Sequence, residues 1–307
     1  MLHQLRLDAA ENAFFLRELE NVEARVYETS YPELKYDRLI PTENGFDPGA
    51  LSLIYRELRQ VGGAKVISDK SKRLPRVDIV GTENATPVKP LGASFGYSIQ
   101  ELKAAAKVGR SLDQARANAA RESILRLLDS IAAIGDSESG IKGLLNHSSV
   151  TGTTAPATGT GSSTHWHDKT AALILDDLNL GVSTIRSNTL GVEAPDTLLL
   201  PEAEYTRIAQ LRADTTSDLT VLKFFLATNP WVKNVEPWHY LSTAGGGSTQ
   251  RMFFYRRDPS KVKLRNPGGY EQLPPQEDGL EFVVPCWMTT AGIIFYKPLS
   301  AYYLDGI

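Results

Sequence analysis

The segment AKVISDKSKRLPRVDIV, residues 64–80, decides how this chain is read. Two short β-prone runs flank a charged tip made of Asp69, Lys70, Lys72 and Arg73, and Gly62-Gly63 stands just ahead of them. Glycine opens backbone conformations closed to other residues, so the pair reads as a hinge at the foot of a hairpin. One reading is an ordinary solvated hairpin. The other is an arm that reaches a neighbouring subunit, its charges keeping the free edge from pairing indiscriminately. Residues 51–58, LSLIYREL, supply a further strand candidate just before the hinge.

What precedes the hairpin also faces outward. Phe14, Phe15, Leu19, Val22 and Val26 fall at mixed three- and four-residue spacings, which predicts an amphipathic helix over residues 8–27 with no partner nearby. Tyr31-Pro32 interrupts it. The chain through Ile40-Pro41 then reads as extended, because a residue before proline is pushed out of the α region. Nearly a third of the 307 residues pass before strong helical patterning begins at Ser98. An enzyme would usually assemble its core earlier, so this order of parts points to a subunit built for neighbours.

Ser98-Ile99-Gln100-Glu101 is a capping box, in which the Ser98 hydroxyl accepts from the Glu101 amide and the Glu101 carboxylate accepts from the Ser98 amide. The helix it opens is expected to falter at Gly109 and restart at Ser111, whose S-x-x-Q pattern caps a longer one. Leu112, Ala115, Ala119, Ile124, Leu127, Leu128 and Ile131 form its apolar stripe, and Gly135 is its expected stop. Residues 146–164, NHSSVTGTTAPATGTGSST, predict an exposed loop between two lobes. Asp168 is expected to cap a helix carrying Ile174, Leu175, Leu178, Val182 and Ile185. A buried strand is expected at 197–200, and Pro201 fits the first turn of a helix to about Leu211. Ser217 or Asp218 starts another helix over 219–227. Strands follow at 232–236 and 251–256, and three β-rich runs between 280 and 303 are split by Pro285 and Pro298. The class is α+β, with no repeat of fixed period.

Composition narrows the function. Hydrophobic residues make up 42% of the chain, an ordinary globular share that allows one large domain or two. Thirty-three basic and 36 acidic side chains leave a net charge of −3, so no global positive field exists to bind nucleic acid. The single cysteine, Cys286, excludes an internal disulfide and a multi-cysteine metal site, and its apolar surroundings predict a buried thiol. The amino terminus lacks a basic start followed by an apolar core, and no stretch approaches a membrane span. A soluble chain made in the cytoplasm is expected, without extensive N-terminal processing.

The segments that resemble chemistry have plainer readings. His165-Trp166-His167-Asp168 offers two imidazoles, but alternate residues converge on a metal only along a strand, and these lie between a Gly/Ser loop and a helix cap. Gly159-Thr160-Gly161 and Gly245-Gly246-Gly247 lack the remaining residues of a phosphate-binding loop. No G-x-S-x-G elbow exists, and His147 beside Ser148 and Ser149 is sequence proximity, not a triad. The carboxylate pairs Asp176-Asp177 and Glu277-Asp278 read as solvated faces. No catalytic, metal or cofactor residue is assigned, and no cofactor is expected.

A collinear set of segments carries a family resemblance: Arg38-Leu39-Ile40-Pro41, Gly62-Gly63-Ala64-Lys65, Leu74-Pro75-Arg76-Val77-Asp78, Tyr97-Ser98-Ile99-Gln100-Glu101-Leu102, Gly143-Leu144-Leu145-Asn146, Asp196-Thr197-Leu198-Leu199-Leu200-Pro201, Leu273-Pro274-Pro275-Gln276 and Tyr303-Leu304-Asp305-Gly306-Ile307. In this order, over roughly residues 30–307, they resemble the tailed-bacteriophage major capsid proteins related to encapsulins, which have the Hong Kong 97 capsid fold. The resemblance implies an N-terminal arm over residues 1–40, a peripheral-domain strand region over 41–59 and an extended β-hairpin loop over 60–90. It further implies a peripheral domain with a long spine helix over 91–165, an axial α/β domain over 166–278, and return strands of the peripheral domain over 279–307.

Contacts between subunits would then fall on Asp69, Lys70, Lys72 and Arg73 of the extended loop, on Phe14, Phe15 and Tyr27 of the arm, and on Gly245, Gly246 and Gly247 at an axial tip. The implied function is a structural one. Pentamers and hexamers of the chain would close an icosahedral shell around double-stranded DNA held without sequence specificity, with a portal and scaffold or decoration proteins as further partners and no membrane. The expected location is the virion. Two alternatives stand beside it: an encapsulin-like compartment shell loading a cargo enzyme, and a metal-dependent hydrolase using His165 and His167.

Overall fold

Three runs, TLLL (197–200), RMFFY (251–255) and AYYLD (301–305), place apolar side chains at consecutive positions. Successive side chains on a strand point to opposite faces, so strands made from such runs must be covered on both sides. A computed structural model of the chain describes residues 31–45, 47, 49–66, 74–108, 112–214 and 218–307, and in it these three runs lie at the centre.

Along the described chain, α1 (Tyr36–Leu39) and β1 (Thr42–Asn44) precede the long hairpin of β2 (Ser52–Val61) and β3 (Asp78–Pro87). Next, β4 (Lys89–Ser98) leads into α2 (Ile99–Val108) and the spine helix α3 (Leu112–Ile134). A small pair, β5 (Gly135–Asp136) with β6 (Ile141–Lys142), turns the chain into β7 (Thr151–Thr154), α4 (Ala171–Asn188), β8 (Thr197–Leu200), α5 (Glu202–Gln210), α6 (Val221–Thr228) and β9 (Asn234–Pro237). The rest is β: β10 (Arg251–Tyr255), β11 (Val262–Asn266), β12 (Glu271–Gln272), β13 (Gln276–Asp278), β14 (Glu281–Thr290), β15 (Gly292–Phe295) and β16 (Ala301–Asp305).

The central sheet runs β7-β16-β10-β8-β9 and separates two apolar cores. Leu199, Phe253, Tyr255, Ala301 and Tyr303 face the core of α3, β4 and β14. Leu198, Leu200, Met252, Phe254, Tyr302 and Leu304, each one residue away, face the core of α4 and α6. The register sets Phe253 opposite both Tyr303 and Leu199, which keeps each face continuous. The strands within residues 279–307 are shared among three sheets. β14 pairs with β4, β15 with β11, and β16 enters the central sheet between β7 and β10.

Several expectations hold at the residue level. The capping box closes as expected, with the Glu101 amide donating to Ser98 Oγ at 3.2 Å and the Ser98 amide to Glu101 Oε2 at 3.1 Å. Helix α3 ends at Ile134, and Gly135 takes φ 73°, a conformation that favours glycine. Cys286 is a free, buried thiol. The expected restart cap at Ser111 lies outside the described residues.

Other expectations are corrected. On α3 the buried row is Ala120, Ile124, Leu128 and Ile131, while Ala115, Ala119 and Leu127 are exposed, because the helix turns its core face about one residue from the stripe read in the sequence. Residues 146–164 are not wholly an exposed loop, since β7 joins the central sheet beside β16 in parallel and Val150 and Ala155 are buried. Main-chain bonds hold that edge, such as Ala155 N–H to the Asp305 carbonyl at 2.7 Å, and small polar side chains do not betray it.

Thr170, not Asp168, caps α4, and Thr220 caps α6. Pro285 lies within β14 instead of ending it. It sits where the β12 pairing ends, opposite Leu273, whose amide donates to the Pro285 carbonyl at 2.9 Å while proline supplies no donor in return.

Asp177 is not a solvated carboxylate either. It is 2% exposed, accepting from Lys169 Nζ at 2.6 Å and Trp166 Nε1 at 2.9 Å.

Candidate inter-subunit surfaces

The β2-β3 ribbon pairs over ten residues on each strand, from Ser52 opposite Pro87 to Val61 opposite Asp78. The ladder thus begins well before residue 60. At its far end, not at a hairpin's foot as expected, Gly62 takes φ 108°, and a Cβ there would lie 2.5 Å from the Arg76 carbonyl oxygen, so the position requires glycine. At its foot the Val88 amide donates to the Leu51 carbonyl at 3.0 Å, and Tyr55 meets Tyr296 edge to face at 5.2 Å between ring centroids.

The pairing assigns side chains to faces. Tyr55 and Leu53 share a half-buried face directed at the body near the foot. The opposite face carries Ile54, Leu58 and Ile79, which are 60%, 74% and 65% exposed, with Arg56 bridging to Glu83 at 2.7 Å among them. That ion pair is itself solvent-exposed and contributes little. The stripe was missed in the sequence because Leu53, Ile54 and Tyr55 are consecutive, which hides the period of two.

The root of the described chain is fastened by a group that the sequence reading passed over. Asp129 is buried on α3 between Leu128 and Ile131 and accepts from the amides of Lys35 and Tyr36 at 3.2 and 3.0 Å. Burial pushes its carboxyl above the usual range. Tyr255 Oη donates to the Leu39 carbonyl at 2.6 Å, Arg38 pairs with Glu236 at 2.6 Å, and β1 lies parallel to β11. Arg116 on α3 joins the capping box to β4, donating to the Gly96 carbonyl at 2.6 Å and to Glu101 at 3.0 Å. Its guanidinium, ahead of the Ser98 amide, holds the Glu101 carboxyl below the usual range.

Of the contact residues expected from the sequence, Asp69, Lys70, Lys72, Arg73, Phe14, Phe15 and Tyr27 lie outside the described residues. Gly245, Gly246 and Gly247 form a tight turn. The Gly245 amide donates to the Thr249 carbonyl at 2.8 Å and the Gly246 amide to Asp305 Oδ2 at 3.2 Å. Arg251 grips the same carboxylate at 2.6 and 2.8 Å, so this loop is fixed to the end of β16.

Around His147, the foot of the ribbon and the body meet. Its amide donates to Tyr303 Oη at 3.1 Å, its ring meets Phe295 at 5.0 Å, and Ser149 N–H donates to Nδ1 at 3.3 Å. Burial, then the nearby Lys142 charge, lowers its pKa to about 4.

His165 and His167 do not converge. His165 Nδ1 lies 3.3 Å from the Ile307 carbonyl, His167 Nδ1 lies 3.4 Å from Arg207 Nη2, and Trp166 between them is buried. Among the described residues no group of three or more His, Cys, Asp or Glu could hold a metal ion. No described helix is long and apolar enough to cross a membrane.

Comparison with known proteins bears on this architecture. The family model described as major capsid protein matches residues 62–307. A search of curated proteins finds no match. Among solved structures, the capsid of Myoviridae phage XM1 is similar at 18% identity and a TM-score of 0.82, covering 97% of this chain and 100% of that one. The capsid of an empty GTA particle is similar at 12% identity and a TM-score of 0.66, covering 97% and 99% of the two chains. The virus-like particle from Pyrococcus furiosus follows at 12% and 0.57, covering 87% and 90%. Such identities speak for the fold, which is that of the Hong Kong 97 capsid subunits. Because the family model spans the hairpin hinge, the spine helix and the central sheet through Ile307, the chain belongs to the major capsid protein family and its role is structural, not enzymatic.

Proposed function

We propose that this subunit assembles as pentamers and hexamers into an icosahedral shell that encloses the double-stranded DNA of a tailed phage. The observation that carries the reading is the bare apolar face of the β2-β3 ribbon, Ile54, Leu58 and Ile79. A two-stranded ribbon is marginal on its own, and an apolar stripe that no described residue covers calls for a second subunit. On this reading residues 60–90, with the foot of the ribbon, lie over a neighbour, and Asp69, Lys70, Lys72 and Arg73 make polar contacts there. Phe14, Phe15 and Tyr27 anchor the arm of residues 1–40. The turn of Gly245, Gly246 and Gly247, held rigid by Asp305, offers small residues to an adjoining copy in the axial domain of residues 166–278.

Heterologous contacts of this kind close into rings, and their number gives a strong shell from modest interfaces. With a net charge of −3, DNA contact is local and independent of sequence. A portal, with scaffold or decoration proteins, completes the partners, and the location is the virion.

Electron microscopy with light scattering on the purified chain tests the reading. Closed shells or five- and six-membered rings are expected, and a homogeneous monomer or dimer would sink it. The likeness to a virus-like particle favours one second reading, a cellular compartment shell. Nuclease-protected DNA inside the native particles supports the first reading, and a packaged protein cargo without DNA supports the second.

A further inference from the structure

The ribbon needs a receiving surface, and one lies on the body of the same chain. Between β12, β14 and the loop after β11 a cavity of about 580 Å³ is floored by Pro267, Tyr270, Trp287 and Met288 and rimmed by the exposed carboxylates of Asp47 and Glu271. Residues 271–281 carry Glu271, Glu277, Asp278 and Glu281 and no basic side chain. All four are exposed, and none is in an ion pair among the described residues.

The ribbon's distal segment has the opposite character. Residues 64–78 hold five basic and two acidic side chains, a net charge of +3. Beyond the ladder, Leu74 and Val77 are 66% and 51% exposed, with Pro75 and the exposed Arg76 between them. Proline fixes its own φ and biases the residue before it toward extended backbone, so this segment loses little freedom when it docks.

We infer that the cavity of one subunit receives the segment Leu74-Pro75-Arg76-Val77 of a second copy, its aliphatic side chains on the Trp287-Met288 floor and Arg76 against the Asp47 and Glu271 rim. This rests on the ribbon reading above and adds the surface that answers it. Opposite net charges on the two surfaces steer the encounter and set its register, and the apolar contact slows release. The charges also give a reason why one sequence holds an acidic run at 271–281 and a basic run at 64–78.

A charge exchange tests the pairing. Arg76→Glu alone, and Asp47→Arg with Glu271→Arg, are each expected to lower shell yield at least about tenfold, while the three together in one chain restore most of it. Circular dichroism of the unassembled subunits checks that each variant folds. In assembled shells, Arg76→Cys with Glu271→Cys is expected to give covalent oligomers on oxidation, with Cys286 buried and silent. Rescue and intermolecular crosslinks support the inference. Loss of assembly with Arg76→Glu but normal shells from the rim variants overturns the cavity assignment and leaves the ribbon reading standing. Normal shells from every variant overturn both, and a disulfide closing within a single chain shows the segment on its own subunit and overturns the inference.

Discussion

The central sheet and the β2-β3 ribbon are both built from β-branched and aromatic residues, yet one is covered on two faces and the other is bare along most of its length. Phe253, Phe254 and Tyr255 are each 0% exposed, whereas Leu58 is 74% exposed. The sheet receives α3 and β14 on one side and α4 on the other, so its apolar area is removed from water when the chain folds. The ribbon's apolar stripe stays in water in the folded subunit, and on the proposed function a second copy covers it. Folding and assembly would then draw on the same physical force at different places, and substitutions in the two regions should separate the two events.

The largest effect on the subunit itself is expected in the sheet. Phe254→Ala leaves a cavity against α4, beside Gly181, and should cost about 3–5 kcal/mol in chemical denaturation of the unassembled chain. A loss below about 1 kcal/mol would break the comparison, since the sheet would not then be a two-sided core. Asp177→Ala comes next. It strands the buried Lys169 ammonium and should cost about 3 kcal/mol by the same measurement.

A smaller, pH-dependent effect belongs to the foot of the ribbon. His147 titrates near 4 in the folded subunit, below its ordinary value, so the unfolded chain binds the proton first as pH falls. Stability is full above about pH 6.5 and is lost as pH drops through about 4. His147→Gln should flatten that dependence in melts at pH 7 and pH 4.5, and an unchanged slope would assign it elsewhere.

Smallest for folding is Leu58→Ser on the bare face, expected to stay within about 0.5 kcal/mol of the parent while sharply reducing shell formation by light scattering. Should Leu58→Ser unfold the subunit, the ribbon's apolar face would belong to folding and the contrast would fail.

Local features were legible wherever a residue's role depends on near neighbours. The capping box needs only the spacing of Ser98 and Glu101, the stop of α3 needs only Gly135, and the buried strand at 197–200 follows from four consecutive core-type residues. Misreadings arose where a distant segment decided the outcome. Asp177 resembled a surface carboxylate until Lys169 and Trp166 enclosed it, and β7 resembled a loop until β16 gave it a ladder. Pro285 read as a strand break although β4 pairs with β14 straight through it and Leu273 N–H still donates to its carbonyl. The ribbon was only partly legible: the sequence reading set its strands within 64–80 behind a glycine hinge, whereas the ladder pairs 52–61 with 78–87 and Gly62 stands at its far end. Its apolar stripe was not legible, because the facing of Ile54, Leu58 and Ile79 depends on the register with β3.

By itself the sequence determined the class of the protein through a collinear set of short segments, a helix capped at Ser98 and a late run of strands, in a chain with one cysteine. Tertiary structure alone decided that one sheet serves two cores, that Asp129 fastens the root of the chain, and that the Trp287-Met288 cavity stands open beneath an acidic rim. The physical reason is range. Caps, hinges and strand periodicity are set by residues a few positions apart, whereas burial and charge compensation are set by whichever distant segment the fold brings alongside.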